Sequence, residues 1–287
     1  PILLGSEAAI RRAMDETGVE AAGATVVDPA LSVRRDAYVD QYFGLRHRRG
    51  VMRATAAERI RRPEYFGAMM VHSADADLMI SGVASHYADS IRVILEVLGA
   101  AAGVKRVSSH YLVLLPRGVF FLTDCAVNID PDAEALAEQA LLTAACARAL
   151  GIEPRVAMLS FSNFGSVEHP FARKVQRATD LVRSRAPGLV VDGEMQLATA
   201  VDAAVRRDYF PFSALQADAN VLVFPSLEAG NMAMHVLQHL TDAVVVGPVL
   251  MGTRMPAHLI QYGSSVEEVV HLVATGIAEG AGLRKAG

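Results

Sequence analysis

Apolar residues in this chain fall into short runs broken by polar and glycine-containing segments. Residues 155–162 are a mostly apolar run of the kind found in a strand buried on both faces of a parallel sheet. The run ends in Asn163-Phe164-Gly165-Ser166, where Gly165 lets the backbone turn and approach a ligand closely. A helical pattern begins near His169-Pro170. Strand, polar glycine turn and helix in succession is how open α/β sheets form a pocket at the carboxyl ends of their strands. An ordinary βα loop gives the same pattern.

The remaining runs repeat the theme. Residues 2–4 predict a strand that enters a helix, with Ser6 as N-cap, Thr17 near the end and Gly18 as the stop. Residues 24–27 predict the next strand, 65–72 a buried helix packed by Met69 and Met70, and 76–81 a further strand. Gly82-Val83-Ala84-Ser85-His86-Tyr87-Ala88-Asp89 then leads into a helix carrying Arg92. Backbone N–H groups and the helix dipole favour a phosphate at such a turn. Residues 107–115 and 119–125, joined across Pro116-Arg117-Gly118, predict an antiparallel hairpin. Asp130 as N-cap and Pro131 at the first position open a long helix that ends at Gly151. Strands follow at 155–162, 189–194, 219–225 and 243–250 with helices between, the signature of an α/β fold with mainly parallel sheets.

Composition narrows the function classes. A length of 287 residues permits one large or two ordinary domains. The net charge of -4 and scattered Lys and Arg present no basic face, which argues against nucleic acid as a partner. No apolar run is long enough to span a bilayer and no signal peptide is evident, so no membrane partner and a cytoplasmic location are expected. Two cysteines, Cys125 and Cys146, make no disulfide framework and read as small packing residues. The chain begins at Pro1, directly in a strand, and is expected to be a piece of something longer.

Candidate chemistry is sparse on pattern alone. His235 and His239 have metal-ligand spacing, but no glutamate stands between them and no third ligand is evident. Met232, Met234, Val236 and Leu237 around them read as packing, and no metal is expected. No Walker loop or Rossmann fingerprint occurs. The segment 42–50, Tyr-Phe-Gly-Leu-Arg-His-Arg-Arg-Gly, is strongly cationic, for which a solvated basic turn is a sufficient reading.

A resemblance adds to this. Glu153-Pro-Arg-Val-Ala-Met-Leu-Ser-Phe-Ser-Asn-Phe-Gly-Ser166 is similar to the hallmark segment of the phosphotransacetylase (phosphate acetyl/butyryl transferase) family. Its Asn-Phe-Gly, where free-standing enzymes usually have Thr-Lys-Gly, resembles the phosphotransacetylase-like C-terminal part of hybrid, NADP-dependent malic enzymes. Val191-Asp-Gly-Glu-Met-Gln196, Asn220-Val-Leu-Val-Phe-Pro225, Ala229-Gly-Asn231 and Val246-Gly-Pro248 match as well, so the resemblance covers nearly the whole chain. It implies two α/β domains, 1–103 plus 249–287 and 104–248, with a cleft between them. The first would lack the family's initial strand–helix unit. It also implies an assembly that is at least a homodimer.

The resemblance assigns residues too. Arg46 matches the arginine that the family's Leu-Arg-x-x-x-Gly supplies to the CoA site, and Arg92 falls where an arginine contacts CoA phosphate. Arg48, Arg49 and Arg53 keep the solvated reading. Ser85, His86 and Tyr87 belong to the turn before Arg92 and join it as expected effector contacts. Active members carry a segment resembling Ser-Arg-Gly-Cys-Ser-x-x-Asp, whose serine and arginine bind the reacting carbonyl and phosphate and whose aspartate is the proposed base. Here those positions are Gln261, Tyr262 and Glu268.

Tyrosine brings no charge or planar fork to a phosphate. Glutamate shifts the carboxylate by one methylene and can serve instead in a capping box with Ser265. A misplaced base alone costs roughly 10²–10⁴ in rate. No catalytic residue is therefore expected to remain. Tyr262 is expected to pack on the acyl or pantetheine end of acetyl-CoA. The implied function is an inactive, acetyl-CoA-sensing regulatory and oligomerisation module of a malic enzyme. NADP and a divalent metal belong to that enzyme's catalytic domain elsewhere in the same chain. The alternatives are an active phosphate acetyltransferase and a purely structural dimerisation domain.

Overall fold

The computed structural model of the chain describes residues 1–20, 23–82, 87–260 and 263–286. Strand β1 (Ile2–Leu4) pairs in parallel with β2 (Thr25–Val27) across helix α1 (Glu7–Thr17). Gly18 closes α1 with a left-handed φ of 66°, as the sequence predicts, whereas Ser6 sits at the N-cap without a side-chain bond. Next come α2 (Arg35–Arg46), a 3₁₀ turn over His47–Arg49, α3 (Arg53–Ile60), α4 (Pro63–His72), β3 (Met79–Ser81) and α5 (Tyr87–Val97). Every residue of α4 from Tyr65 to Val71 is buried, which explains why its sequence shows no polar stripe. Tyr38, Tyr42, Ile60, Ile94 and Leu98 complete this core, joined from far along the chain by Leu250, Ala257 and Leu259. Each large apolar side chain so enclosed contributes about 1.5–3 kcal/mol.

The second half builds one six-stranded sheet. Its strands are β4 (Ser108–Leu115), β5 (Gly118–Thr123), β6 (Arg155–Leu159), β7 (Val190–Met195), β8 (Val221–Val223) and β9 (Val244–Met251), in the order β7-β6-β8-β5-β4-β9. The pairs β6/β7, β6/β8 and β5/β8 are parallel, while β4 runs against both β5 and β9. Helices α6 (Ala133–Ala149), α7 (Pro170–Arg185), α8 (Leu197–Val201), α9 (Ala203–Tyr209) and α10 (Leu227–Leu240) supply the crossovers. Strand β10 (Ala257–Leu259) leaves this sheet to pair in parallel with β3, and α11 (Val266–Ala286) follows. The run expected as a strand over 155–162 forms β6 over Arg155–Leu159 only, inside the sheet between β7 and β8, as its composition demands. Val156 and Met158 face the α6/α7 core, while Ala157 and Leu159 face the opposite one.

Two local expectations change. Helix α6 is capped by Asp132, whose side chain accepts from the Ala135 amide at 2.8 Å, rather than by Asp130. Asp130 instead receives the Lys174 ammonium at 3.0 Å. Three acid-or-proline positions in a row leave the start ambiguous, and the residue whose oxygen reaches the third helical amide wins. On α10, Met234 is buried and Leu237 packs on the core, but Met232 and Val236 are 66% and 52% exposed. The helical period turns 232 and 236 to the face opposite 230, 234 and 237.

One buried carboxylate joins several of these elements. Asp124, 3% exposed at the end of β5, accepts from Ser109 Oγ at 2.5 Å and Gln139 Nε2 at 3.4 Å, reaching β4 and α6. It also accepts from the backbone N–H groups of Ala126, Val127 and Asn128 at 3.0–3.2 Å, and from Asn128 Nδ2 at 2.7 Å. Helix α10 comes in close beneath, so that a Cβ on Gly230 would lie 3.0 Å from both the Asp124 carbonyl oxygen and the Cys125 sulfur.

A second buried group has the opposite character. His110 on β4 is wholly buried where the β4/β9 register shifts, and neither ring nitrogen has a hydrogen-bond partner among the described residues. Burial pushes its pKa down to about 4; nearby His258 reinforces the shift and Glu279 opposes it. The unfolded chain takes up this proton near pH 6.5 and the folded chain only near 4. His110 stability is thus fully present above pH 6.5 and is lost as pH falls toward 4, by about 2–4 kcal/mol. Denaturant midpoints across pH 4–7 should fall steeply on the acid side. His110→Leu should flatten that slope at little cost at pH 7, because no hydrogen bond is lost. An unchanged slope in the variant would contradict this account.

Candidate functional site

The glycine turn singled out by the sequence is stitched to the strand beside it. Gly165 has a φ of 84° and Phe164 one of 49°, so the turn needs left-handed backbone at two successive positions. Glu194, 1% exposed on β7, secures it by accepting from Ser162 Oγ at 2.9 Å and the Gly165 N–H at 2.6 Å. Asn163 Oδ1 accepts from the Gln196 N–H at 2.8 Å and Thr199 Oγ1 at 2.9 Å, tying the turn to α8. Phe164 packs on Phe210 and Phe212, at centroid distances of 5.3 and 4.9 Å. A cavity of about 270 Å³ lies beside this turn, lined by Phe164, Asp192, Glu194, Phe212 and their neighbours. Neither Arg46 nor Arg92 lines it.

The two arginines meet a different element, helix α5. Arg46, the last residue of α2, turns inward: its side chain is 16% exposed and its Nη2 stands 3.8 Å from Glu96 Oε1. Arg92 lies one turn before Glu96, is 64% exposed, and donates to Asp89 at 3.2 Å. Residues four apart share a helix face, so Arg92 and Glu96, the acid that Arg46 approaches, lie on the same side of α5. Each guanidinium has the planar fork that suits oxyanions, but Arg46 is enclosed beside Glu96 whereas Arg92 is open to solvent beside Asp89.

Glu96 is the residue that sequence reasoning missed. Its Oε2 accepts from Tyr42 Oη at 2.9 Å, Tyr65 Oη at 3.0 Å and Arg59 Nη1 at 2.9 Å, bringing α2, α3 and α4 to α5. Burial is the first cause that raises the pKa of both tyrosines, and hydrogen bonding to Glu96 adds to it. A signal was present: Glu96 is an acidic residue amid Val93, Ile94, Val97 and Leu98, all buried. Charge inside an apolar run needs partners.

The other assigned positions divide. Tyr87 opens α5, and its hydroxyl is buried without a hydrogen-bond partner among the described residues; burial, then Tyr111 and Asp124, push its pKa up. Ser85, His86, Gln261 and Tyr262 lie outside the described residues. Glu268 forms the reciprocal capping box that its spacing from Ser265 allows: the Ser265 N–H donates to Glu268 Oε2 at 2.7 Å and the Glu268 N–H to Ser265 Oγ at 3.1 Å. Arg53 pairs with Asp40, in keeping with its solvated reading. His235 and His239 stack side by side on the exposed face of α10, 5.7 Å apart, and no cluster suited to a metal occurs among the described residues. Likewise, no described helix is long and apolar enough to cross a membrane.

Comparison with known proteins places this geometry. The family model described as phosphate acetyl/butaryl transferase matches residues 1–277. An NADP-dependent malic enzyme from Escherichia coli is 39% identical over 97% of this chain, which spans only 37% of that protein's length. A phosphate acetyltransferase from Thermoanaerobacterium thermosaccharolyticum is 38% identical over 96% of this chain and 85% of its own. The crystal structure of a phosphotransacetylase from Streptococcus pyogenes superimposes with a TM-score of 0.92 at 32% identity, covering 98% of this chain and 86% of that one. With a family match along nearly its whole length and this shared fold, the chain belongs to the phosphate acetyl/butaryl transferase family.

Proposed function

We propose that this chain is the phosphotransacetylase-like regulatory part of a malic enzyme, binding acetyl-CoA without turning it over and contributing to oligomerisation. The observation that carries this reading is the state of the family's catalytic positions. Gln261 and Tyr262 stand where active members have serine and arginine. The carboxylate of Glu268, at the position of the base, is engaged with the Ser265 amide at the start of α11. The candidate CoA-phosphate arginines, by contrast, are both present, Arg92 on α5 and Arg46 beside Glu96 of the same helix. A protein whose task is binding rather than turnover needs the second set and not the first.

In this reading the two α/β domains, 1–103 plus 249–287 and 104–248, enclose acetyl-CoA in the cleft between them. Arg46 and Arg92 hold its phosphates, Ser85, His86 and Tyr87 contribute the turn, and Tyr262 meets the acyl or pantetheine end. Acetyl-CoA acts as an inhibitor of malate oxidation by the catalytic domain in the same longer chain, which carries the NADP and divalent-metal sites. The similarity to the E. coli malic enzyme over one part of its length supports this arrangement. An active phosphate acetyltransferase is the second reading, favoured by the almost equal identity, 38%, to an enzyme of that name.

Three measurements test the proposal. With acetyl phosphate and CoA the chain should turn over far below about 10 s⁻¹, the median for enzymes; a kcat above that value favours the second reading. Gln261→Ser, Tyr262→Arg and Glu268→Asp together should raise any trace activity, and each alone should do little, since such groups act as a unit. Arg92→Ala should weaken acetyl-CoA about tenfold to a hundredfold by calorimetry, the loss of charge-assisted hydrogen bonds worth roughly 1.5–3 kcal/mol. Unchanged affinity in both Arg46→Ala and Arg92→Ala would remove the arginines from the site. Finally, light scattering at micromolar concentration should report at least a dimer; a clean monomer contradicts the oligomerisation role.

A further inference from the structure

We infer that Glu96 is an internal competitor for Arg46, a positioning residue that sets how tightly this site holds a phosphate. The inference rests on the acetyl-CoA reading above and concerns affinity within it. The two oxygens of Glu96 are used unequally. Oε2 takes three donors, from Tyr42, Tyr65 and Arg59, all at 2.9–3.0 Å. Arg59 Nη1 also donates to Tyr42 Oη at 2.7 Å, so these groups form one closed network. Oε1 faces Arg46 Nη2 at 3.8 Å, beyond hydrogen-bond length. Arg46 Nε is buried and has no hydrogen-bond partner among the described residues.

The asymmetry has a consequence for charge. Among the described residues only Arg59 makes a hydrogen-bonded ion pair with Glu96, and the tyrosine hydroxyls complete the satisfaction of its inner oxygen. Arg46 is therefore surplus: it is held in place by the carboxylate's field but not committed to it by hydrogen bonds. When Arg46 turns to an anion, Glu96 keeps its three short bonds and no buried charge is orphaned. Arg46, meanwhile, gains an acceptor for its Nε, which lacks one among the described residues. A phosphate thus exchanges with Glu96 as the counter-ion of Arg46, and the free energy of leaving Glu96 is subtracted from binding. Tyr42 and Tyr65 set the size of that subtraction, because each hydroxyl given to Glu96 weakens its hold on Arg46.

Two sets of variants move affinity in opposite directions, which a merely structural role would not do. In calorimetry with acetyl-CoA, Glu96→Gln should tighten binding about tenfold, the scale for removing a like charge near a phosphate at a partly buried site. Tyr42→Phe and Tyr65→Phe should each weaken binding by roughly two- to fivefold, because Glu96 then holds Arg46 more firmly. In an Arg46→Ala background the Glu96→Gln effect should shrink to about twofold or less. Circular dichroism and thermal melts establish that each variant is folded. If Glu96→Gln does not fold, the tyrosine variants carry the test, and tighter or unchanged binding in both overturns the inference. Weaker or unchanged binding by a folded Glu96→Gln overturns it while leaving the acetyl-CoA reading intact. If the parent chain fails to bind acetyl-CoA, that reading falls and takes this inference with it.

Discussion

A carboxylate at the end of a central strand, cut off from water, is tolerable only if its lone pairs are met by donors held in fixed positions. Asp124 fulfils this condition with hydroxyl, amide and backbone N–H donors from β4, α6 and its own following loop. Much else follows from that arrangement. It locks the antiparallel β4/β5 hairpin into the sheet and fixes the loop on which α10 rests. The carboxyl edge of the sheet is thereby shaped on one side, while Glu194 shapes it on the other by tying down the glycine turn. Both buried acids are hydrogen-bonded rather than ion-paired among the described residues.

What the sequence disclosed follows the range of the forces involved. The parallel strands, α4 and Gly18 were legible because each is set by burial on both faces or by a local backbone requirement. So was the capping box of Ser265 and Glu268, in which the interacting groups are three residues apart. The start of α6 was not, because Asp130 and Asp132 are equally good caps until Lys174, from another helix, engages Asp130. The outward face of α10 was misread because methionine and valine were taken as packing without regard to helical phase; Met232 and Val236 point away from the core.

The candidate site shows the same limit. Arg46 and Arg92 were assigned by resemblance, yet nothing in their spacing reveals that Arg46 turns in toward Glu96 of α5, or that one arginine is enclosed and the other open. The network around Glu96 draws on residues 42, 59, 65 and 96 from four helices. No periodicity within one element encodes such a meeting; only a charged residue in an apolar run hints at it. Long-range polar satisfaction is the part of this fold that must be seen rather than read.

The packing of α10 on the Asp124 loop also gives the molecule a built-in probe. Cys125 has no exposure, lies directly under Gly230, and has its thiol pKa pushed up by burial and then by Asp124. In the native chain it is therefore both out of reach and in the wrong protonation state for thiol reagents. Its modification requires α10 to lift from the loop or the sheet to open. The alkylation rate of this cysteine consequently counts openings of that region, without label or substitution. In the same way, any ligand that clamps the carboxyl edge would register as slower chemistry at a sulfur it never touches.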